Sequence, residues 1–176
     1  LSQLTAMVER ILTVSVEGRQ AKLSIEQVAL REAFEQIVEG VQIGGDEDAT
    51  LNIDCDERLL VNADPHHLKS VVMTLIDNAL KYGGRPLSIT LSAAKVDNTT
   101  EIRIADNGCG IAREHLTHLF EKFYRVPSGD VQRPRGYGLG LYYAQQVIKA
   151  HGGDILVESR VGKGTTIIIK LPENEQ

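Results

Sequence analysis

The sequence predicts an α+β sandwich, and three observations carry that reading. Segments of helical and of strand periodicity follow one another without the strict alternation of a doubly wound parallel sheet. Two pairs of apolar strands are joined by short polar turns, Asp97-Asn98-Thr99 and Gly162-Lys163-Gly164. A chain of 176 residues, 42 % hydrophobic and 24 % charged, has the composition of one globular domain with room for an appendage.

The elements follow in order. In "LSQLTAMVERILTVSVEGR", Leu1, Leu4, Val8 and Ile11 form one helical stripe. It reads either as a helix packed on its own domain or as the tail of a helical hairpin. Residues 1–20 are therefore assigned to a helical stub and 21–176 to a globular domain. Within the latter, "REAFEQIVEGVQ" is an amphipathic helix that should stop at Gly44-Gly45, and "TLNIDCD" and "RLLVNAD" read as strands. Asp64-Pro65 opens a second helix, with Asp as cap and Pro at the first helical position, which runs to Gly83-Gly84. The strands "LSITLSAAKV" and "TEIRIADN" come next. "VPSGDVQRPRG" shows little periodicity, and a glycine-flanked helix and the strands "DILVESR" and "TTIIIKL" close the chain.

Several function classes drop out. A net charge of −5 without a basic run argues against nucleic-acid binding. Cys55 and Cys109 stand far apart without metal-ligand spacing, which fits a reducing compartment. There is no run of membrane-spanning length and no signal peptide. Residue 1 is Leu, so the chain is expected to be a piece of a longer protein.

Three places carry candidate chemistry. Gly136, Gly138 and Gly140 lead into a helix start, where free amides and the helix dipole favour an anion; a glycine-rich turn is the plainer alternative. Neither Gly-x-x-x-x-Gly-Lys-Ser/Thr nor Gly-x-Gly-x-x-Gly is present. At the end of an alternating strand, Asp106-Asn107-Gly108-Cys109-Gly110 sets a carboxylate beside backbone bare of side chains at two positions. That is either an Asp-Asn-Gly turn or an acceptor for an exocyclic amine such as that of adenine. Finally, Thr74, Asn78, Lys81 and Tyr82 share one helix face. Asn78 interrupts an apolar run, either as a satisfied core amide or as a hard ligand for magnesium.

In order along the chain, Asn78-Ala79-x-Lys81-Tyr82, Asp106-x-Gly108-x-Gly110, Phe120-x-x-Phe123-Tyr124-Arg125 and Gly136-x-Gly138-Leu139-Gly140-Leu141 resemble the N box, first glycine box, F box and second glycine box of bacterial sensor histidine kinases. The resemblance is to their catalytic and ATP-binding domain. The closing "AHGGDILVESRVGKGTTIIIKLP" is similar to that family's last strands, and the opening segment to the end of its dimerisation hairpin.

The resemblance implies the Bergerat ATP-binding fold, a mixed sheet covered on one face by helices. It also implies that Asn78 binds Mg²⁺ bridged to the phosphates of ATP. Asp106 would accept from the adenine amine, with Gly108 and Gly110 letting the base lie against the backbone. Lys81, Tyr82 and Arg125 would line the nucleotide, Lys81 and Arg125 as the catalytic cations. The span from about Phe120 to Arg135 would be an ATP lid, hinged at Gly136, Gly138, Leu139, Gly140 and Leu141. The implied activity is transfer of the ATP γ-phosphoryl to a His on the hairpin. The implied partners are that hairpin and a response regulator receiver domain. The setting would be a cytoplasmic domain of a membrane-anchored, homodimeric sensor, with the fragment itself monomeric. The alternatives are a non-catalytic module of the same fold, or a related ATPase or serine kinase.

Three departures are visible, the first being that Tyr137 and Tyr143 are bulkier than expected in the second glycine box. The family often carries a second Asn one turn before Asn78, and the related ATPases a Glu; here it is Thr74, which cannot act as a base. Further, none of His66, His67, His115, His118 and His151 is followed by the acidic residue that follows the family's phosphoacceptor, so the acceptor is expected elsewhere.

Overall fold

The computed structural model describes residues 23–41, 49–83, 86–127 and 137–173. The stub at 1–20 lies outside them, as does Gly136. Seven strands and four helices are described: β1 Glu26–Ala29, α1 Leu30–Gly40, β2 Ala49–Cys55, β3 Leu60–Ala63, α2 Pro65–Tyr82, β4 Leu87–Val96, β5 Thr99–Asp106, α3 Arg113–Leu116, α4 Gly140–Ala150, β6 Asp154–Arg160 and β7 Gly164–Pro172.

The main sheet runs β2-β4-β5-β7-β6. Only β2 and β4 pair in parallel; the other neighbours are antiparallel, so the sheet is mixed. Along its central strands, Ile89 and Leu91, Ile102 and Ile104, and Ile167 and Ile169 alternate onto one face and are buried against the helices. Each such side chain contributes about 1.5–3 kcal/mol by leaving water. Helix α2 covers this face with Leu68, Val71, Val72, Leu75, Ile76 and Ala79; α4 adds Tyr143, Ala144, Val147 and Ile148. The fold is thus the two-layer α+β arrangement of the Bergerat type.

Two details differ from the sequence reading. Helix α1 stops at Gly40, before Gly44-Gly45, because Val41 turns extended while its N–H still bonds the Ile37 and Val38 carbonyls. The apolar run "RLLVNAD" does form a strand, but outside the main sheet. It pairs antiparallel with β1, whose four residues are too short for a visible period.

Asp64 ties the helical layer together. Its carboxylate accepts from the His67 N–H at 3.0 Å and from the Ser24 N–H at 2.9 Å, capping α2 and holding the chain that enters the domain. Its own N–H donates to His151 Nε2 at 3.0 Å, while His151 Nδ1 bonds the Val147 carbonyl at 2.8 Å. The end of α4 is thereby fixed to the start of α2, and the two helices pack against each other. Among the described residues no helix is long and apolar enough to cross a membrane.

Candidate nucleotide site

Asp106 is the last residue of β5, paired with Ile89 on one side and Thr165 on the other. Its Oδ1 accepts the Gly108 N–H at 2.7 Å and the Thr165 N–H at 3.3 Å. Among the described residues Oδ2 accepts no hydrogen bond. Burial pushes the acid up from its ordinary value, against the pull of those two N–H groups. A half-buried carboxylate with one oxygen fixed and the other open is an oriented acceptor.

The chain after Asp106 approaches the end of α2 closely. The Cys109 N–H bonds the Tyr82 carbonyl at 3.4 Å, and a Cβ on Gly108 would collide with that carbonyl and stand 2.7 Å from Asp106 Oδ1. Only glycine fits here. The N box and first glycine box therefore meet through their backbones.

On α2, Asn78 is half-buried, and its amide has no hydrogen-bond partner among the described residues. A satisfied core amide would show one. The Thr74 hydroxyl one turn earlier donates to the Ser70 carbonyl at 2.8 Å. Lys81 pairs with Asp77 at 2.7 Å on the outer side of the helix, and Tyr82 is exposed. Among the described residues no three His, Cys, Asp or Glu side chains gather around a metal position. Magnesium here would be held by an amide, water and the phosphates of a nucleotide, and the unpartnered Asn78 fits that donor set.

The other two boxes also meet. The Phe123 N–H bonds the Gly138 carbonyl at 2.9 Å, and Lys122 Nζ lies 4.9 Å from the centre of the Tyr142 ring. Gly138 has φ +69, the left-handed region. Arg125 is exposed, and Leu139, Gly140 and Leu141 form the entry to α4, all half-buried. Residues 128–136, which include the second half of the span read as a lid, lie outside the described residues. The structure thus brings Tyr82, Gly108 and Asp106 together at the end of the helix that carries Asn78 and Lys81, and joins Phe123, two residues before Arg125, to Gly138 ahead of α4. Sequence reasoning missed the Thr165 amide and the Tyr82 carbonyl, since backbone groups leave no mark in a sequence. It had no account of Tyr143, which is 4 % exposed and a core residue of α4.

Comparison with known proteins bears on the family and the fold. Residues 63–175 match the model of a family described as histidine kinase-, DNA gyrase B-, and HSP90-like ATPase. The chain is 31 % identical over 167 residues to sensor histidine kinase YkoH of Bacillus subtilis, covering 95 % of this chain and 36 % of that protein. It thus spans about a third of that relative's length. Mycobacterial sensor histidine kinase MprB superposes with a TM-score of 0.71 at 28 % identity, over 84 % of this chain and 97 % of that one. Full-length ShkA, solved in complex with AMPPNP, shares the fold with a TM-score of 0.81 at 23 % identity, over 97 % of this chain and 36 % of that one.

Proposed function

Because the chain belongs to the histidine kinase-, DNA gyrase B-, and HSP90-like ATPase family, we propose that it is the ATP-binding kinase module of a two-component sensor. It transfers the γ-phosphoryl of ATP to a histidine on a dimerisation hairpin. The observation that carries this reading is the open Oδ2 of Asp106, aimed by two backbone N–H groups at the end of a central strand. Asp106 accepts from the adenine amine, and Gly108 and Gly110, where a Cβ would strike the Tyr82 and Arg160 carbonyls, let the loop beside it close tightly. At the other end of the site, the amides entering α4 at Leu139, Gly140 and Leu141 take the phosphates, helped by the helix dipole. Lys81 and Arg125 supply positive charge, Lys81 by leaving Asp77. Tyr82 lines the base side. Magnesium, held through Asn78, would neutralise phosphate charge. Catalysis of this kind is positioning and charge balance rather than proton abstraction. An acceptor imidazole nitrogen bonds to the γ-phosphorus as the bond to the β,γ-bridging oxygen breaks, leaving ADP.

The dedicated-ATPase alternative needs a base near Thr74. That hydroxyl already donates to the Ser70 carbonyl, and it has no carboxylate's basicity. Four of the five histidines are also already engaged. His67 stands 3.0 Å from Asp64 Oδ1, His118 bonds Glu121 at 2.7 Å, His115 bonds Tyr124 at 2.7 Å, and His151 is held at both nitrogens. We place the acceptor on the hairpin, with residues 1–20 as its end, a receiver domain as downstream partner, and a membrane-anchored homodimer as the whole protein. This chain alone is then monomeric.

Incubation with γ-labelled ATP tests the reading. Acid-labile label should appear on an added hairpin carrying the acceptor His and not on this chain alone. Robust acid-labile label on the isolated chain would make one of its own histidines the acceptor and contradict the assignment. For the metal, Asn78→Ala should weaken ATP binding in magnesium far more than in chelator. An equal loss in both would make Asn78 a structural residue.

A further inference from the structure

We propose that His115 and Tyr124 are positioning residues for the phosphate end of the nucleotide site, an inference that rests on the function proposed above. The starting observation is Phe123, which has φ +65 and is one of two non-glycine residues with positive φ among those described. A bulky side chain is disfavoured there and persists only where its surroundings hold it. Its own side chain cannot do so, being 69 % exposed.

Neighbouring groups hold it instead. The Phe123 N–H bonds Gly138 O at 2.9 Å, and the Tyr124 N–H bonds Glu121 O at 3.3 Å. The space where Gly138 lacks a Cβ is filled by the Phe123 and Tyr124 backbone, at 2.6 and 2.7 Å from the missing atom. Tyr124 itself is half-buried. Its hydroxyl lies 2.7 Å from His115 Nδ1, and its ring centre 5.4 Å from that of His118. His115 stands on α3, which packs on β6 of the main sheet.

A continuous path therefore runs from the sheet through α3, His115 and Tyr124 to the left-handed Phe123, and across one backbone bond to Gly138. Two residues further on, α4 begins. Breaking the His115–Tyr124 bond frees Tyr124 and lets Phe123 relax toward ordinary φ, which withdraws its N–H from Gly138. The entry to α4 then loses the support that fixes its amides for phosphate. Neither residue is a hydrogen-bond partner of Asp106, whose carboxylate is held by the Gly108 and Thr165 N–H groups.

Calorimetric titration of the purified chain with magnesium-ATP and separately with adenosine tests this. His115→Ala and the milder Tyr124→Phe should each weaken ATP binding about fivefold, the worth of one partly buried hydrogen bond, and leave adenosine binding unchanged. The double variant should lose no more than either single one, because both remove the same bond. His115→Asn, whose amide reaches the place of Nδ1, should recover most of the affinity. Unchanged ATP affinity in both single variants would overturn the proposal. So would equal losses for ATP and adenosine, which would mark a general structural role. If the parent chain binds neither ligand, the proposed function fails and this inference falls with it; an Asp106→Ala variant with reduced affinity beside unaffected His115 and Tyr124 variants overturns this inference alone.

Discussion

Asp106→Ala lowers ATP affinity ten- to a hundredfold, the equivalent of roughly 1.5–3 kcal/mol for a hydrogen bond to a charged acceptor. The size follows from the local geometry. Asp106 Oδ1 already takes the Gly108 and Thr165 N–H groups, so the open oxygen is held in place before a ligand arrives and little ordering remains to be done. Asp106→Asn is the sharper probe, since it keeps the shape and removes the charge. Because burial raises the acid above its ordinary value, affinity should also begin to fall on acidification at a higher pH than an exposed aspartate would set. Isothermal titration of parent and variants gives the result, and an unchanged affinity in Asp106→Ala would remove the adenine assignment.

The second large effect is on stability. Asp64 is 6 % exposed. Burial alone would raise its acid, but bonds from the His67 and Ser24 N–H groups and the His67 ring overcome that and lower it from the usual 3.8 to about 2. The folded state therefore favours the carboxylate. Its stabilisation is complete above the unfolded value near 4, and is lost as pH falls from there through about 2. The difference corresponds to about 2 kcal/mol at neutral pH. Asp64→Ala should cost that much, together with the lost helix cap, in urea unfolding at pH 7. The gap between parent and variant should narrow as the pH is lowered below 4. A gap as wide at pH 3 as at pH 7 would show that the carboxylate's charge plays no part.

Much of this could be read from local pattern. The limits of β4 to β7 follow from alternation, and Asp64-Pro65 marks the start of α2 because cap and first turn are neighbours in sequence. Asp106 stood out because a carboxylate ending an apolar strand needs a reason. What escaped was set by distance along the chain. Ser24 and His151 reach Asp64 across 40 and 87 residues, and neither contact has a sequence signature. Strand β1 is four residues long and gains its identity only by pairing with β3. Tyr143 looked too large for a glycine-rich stretch, yet it is simply the inward face of α4. The four boxes were legible as motifs; which of them touch was not, because the links are backbone bonds from Cys109 to Tyr82 and from Phe123 to Gly138.

The most direct measurement is nucleotide selectivity of the unmodified chain. Guanine carries a carbonyl oxygen where adenine carries its amine, so an ionised Asp106 that accepts from ATP faces a second acceptor in GTP and is left unpaired. Titration in magnesium should show saturable ATP binding, with GTP weaker by at least tenfold. Equal affinities for ATP and GTP, or no binding of either, would contradict an adenine nucleotide site at Asp106.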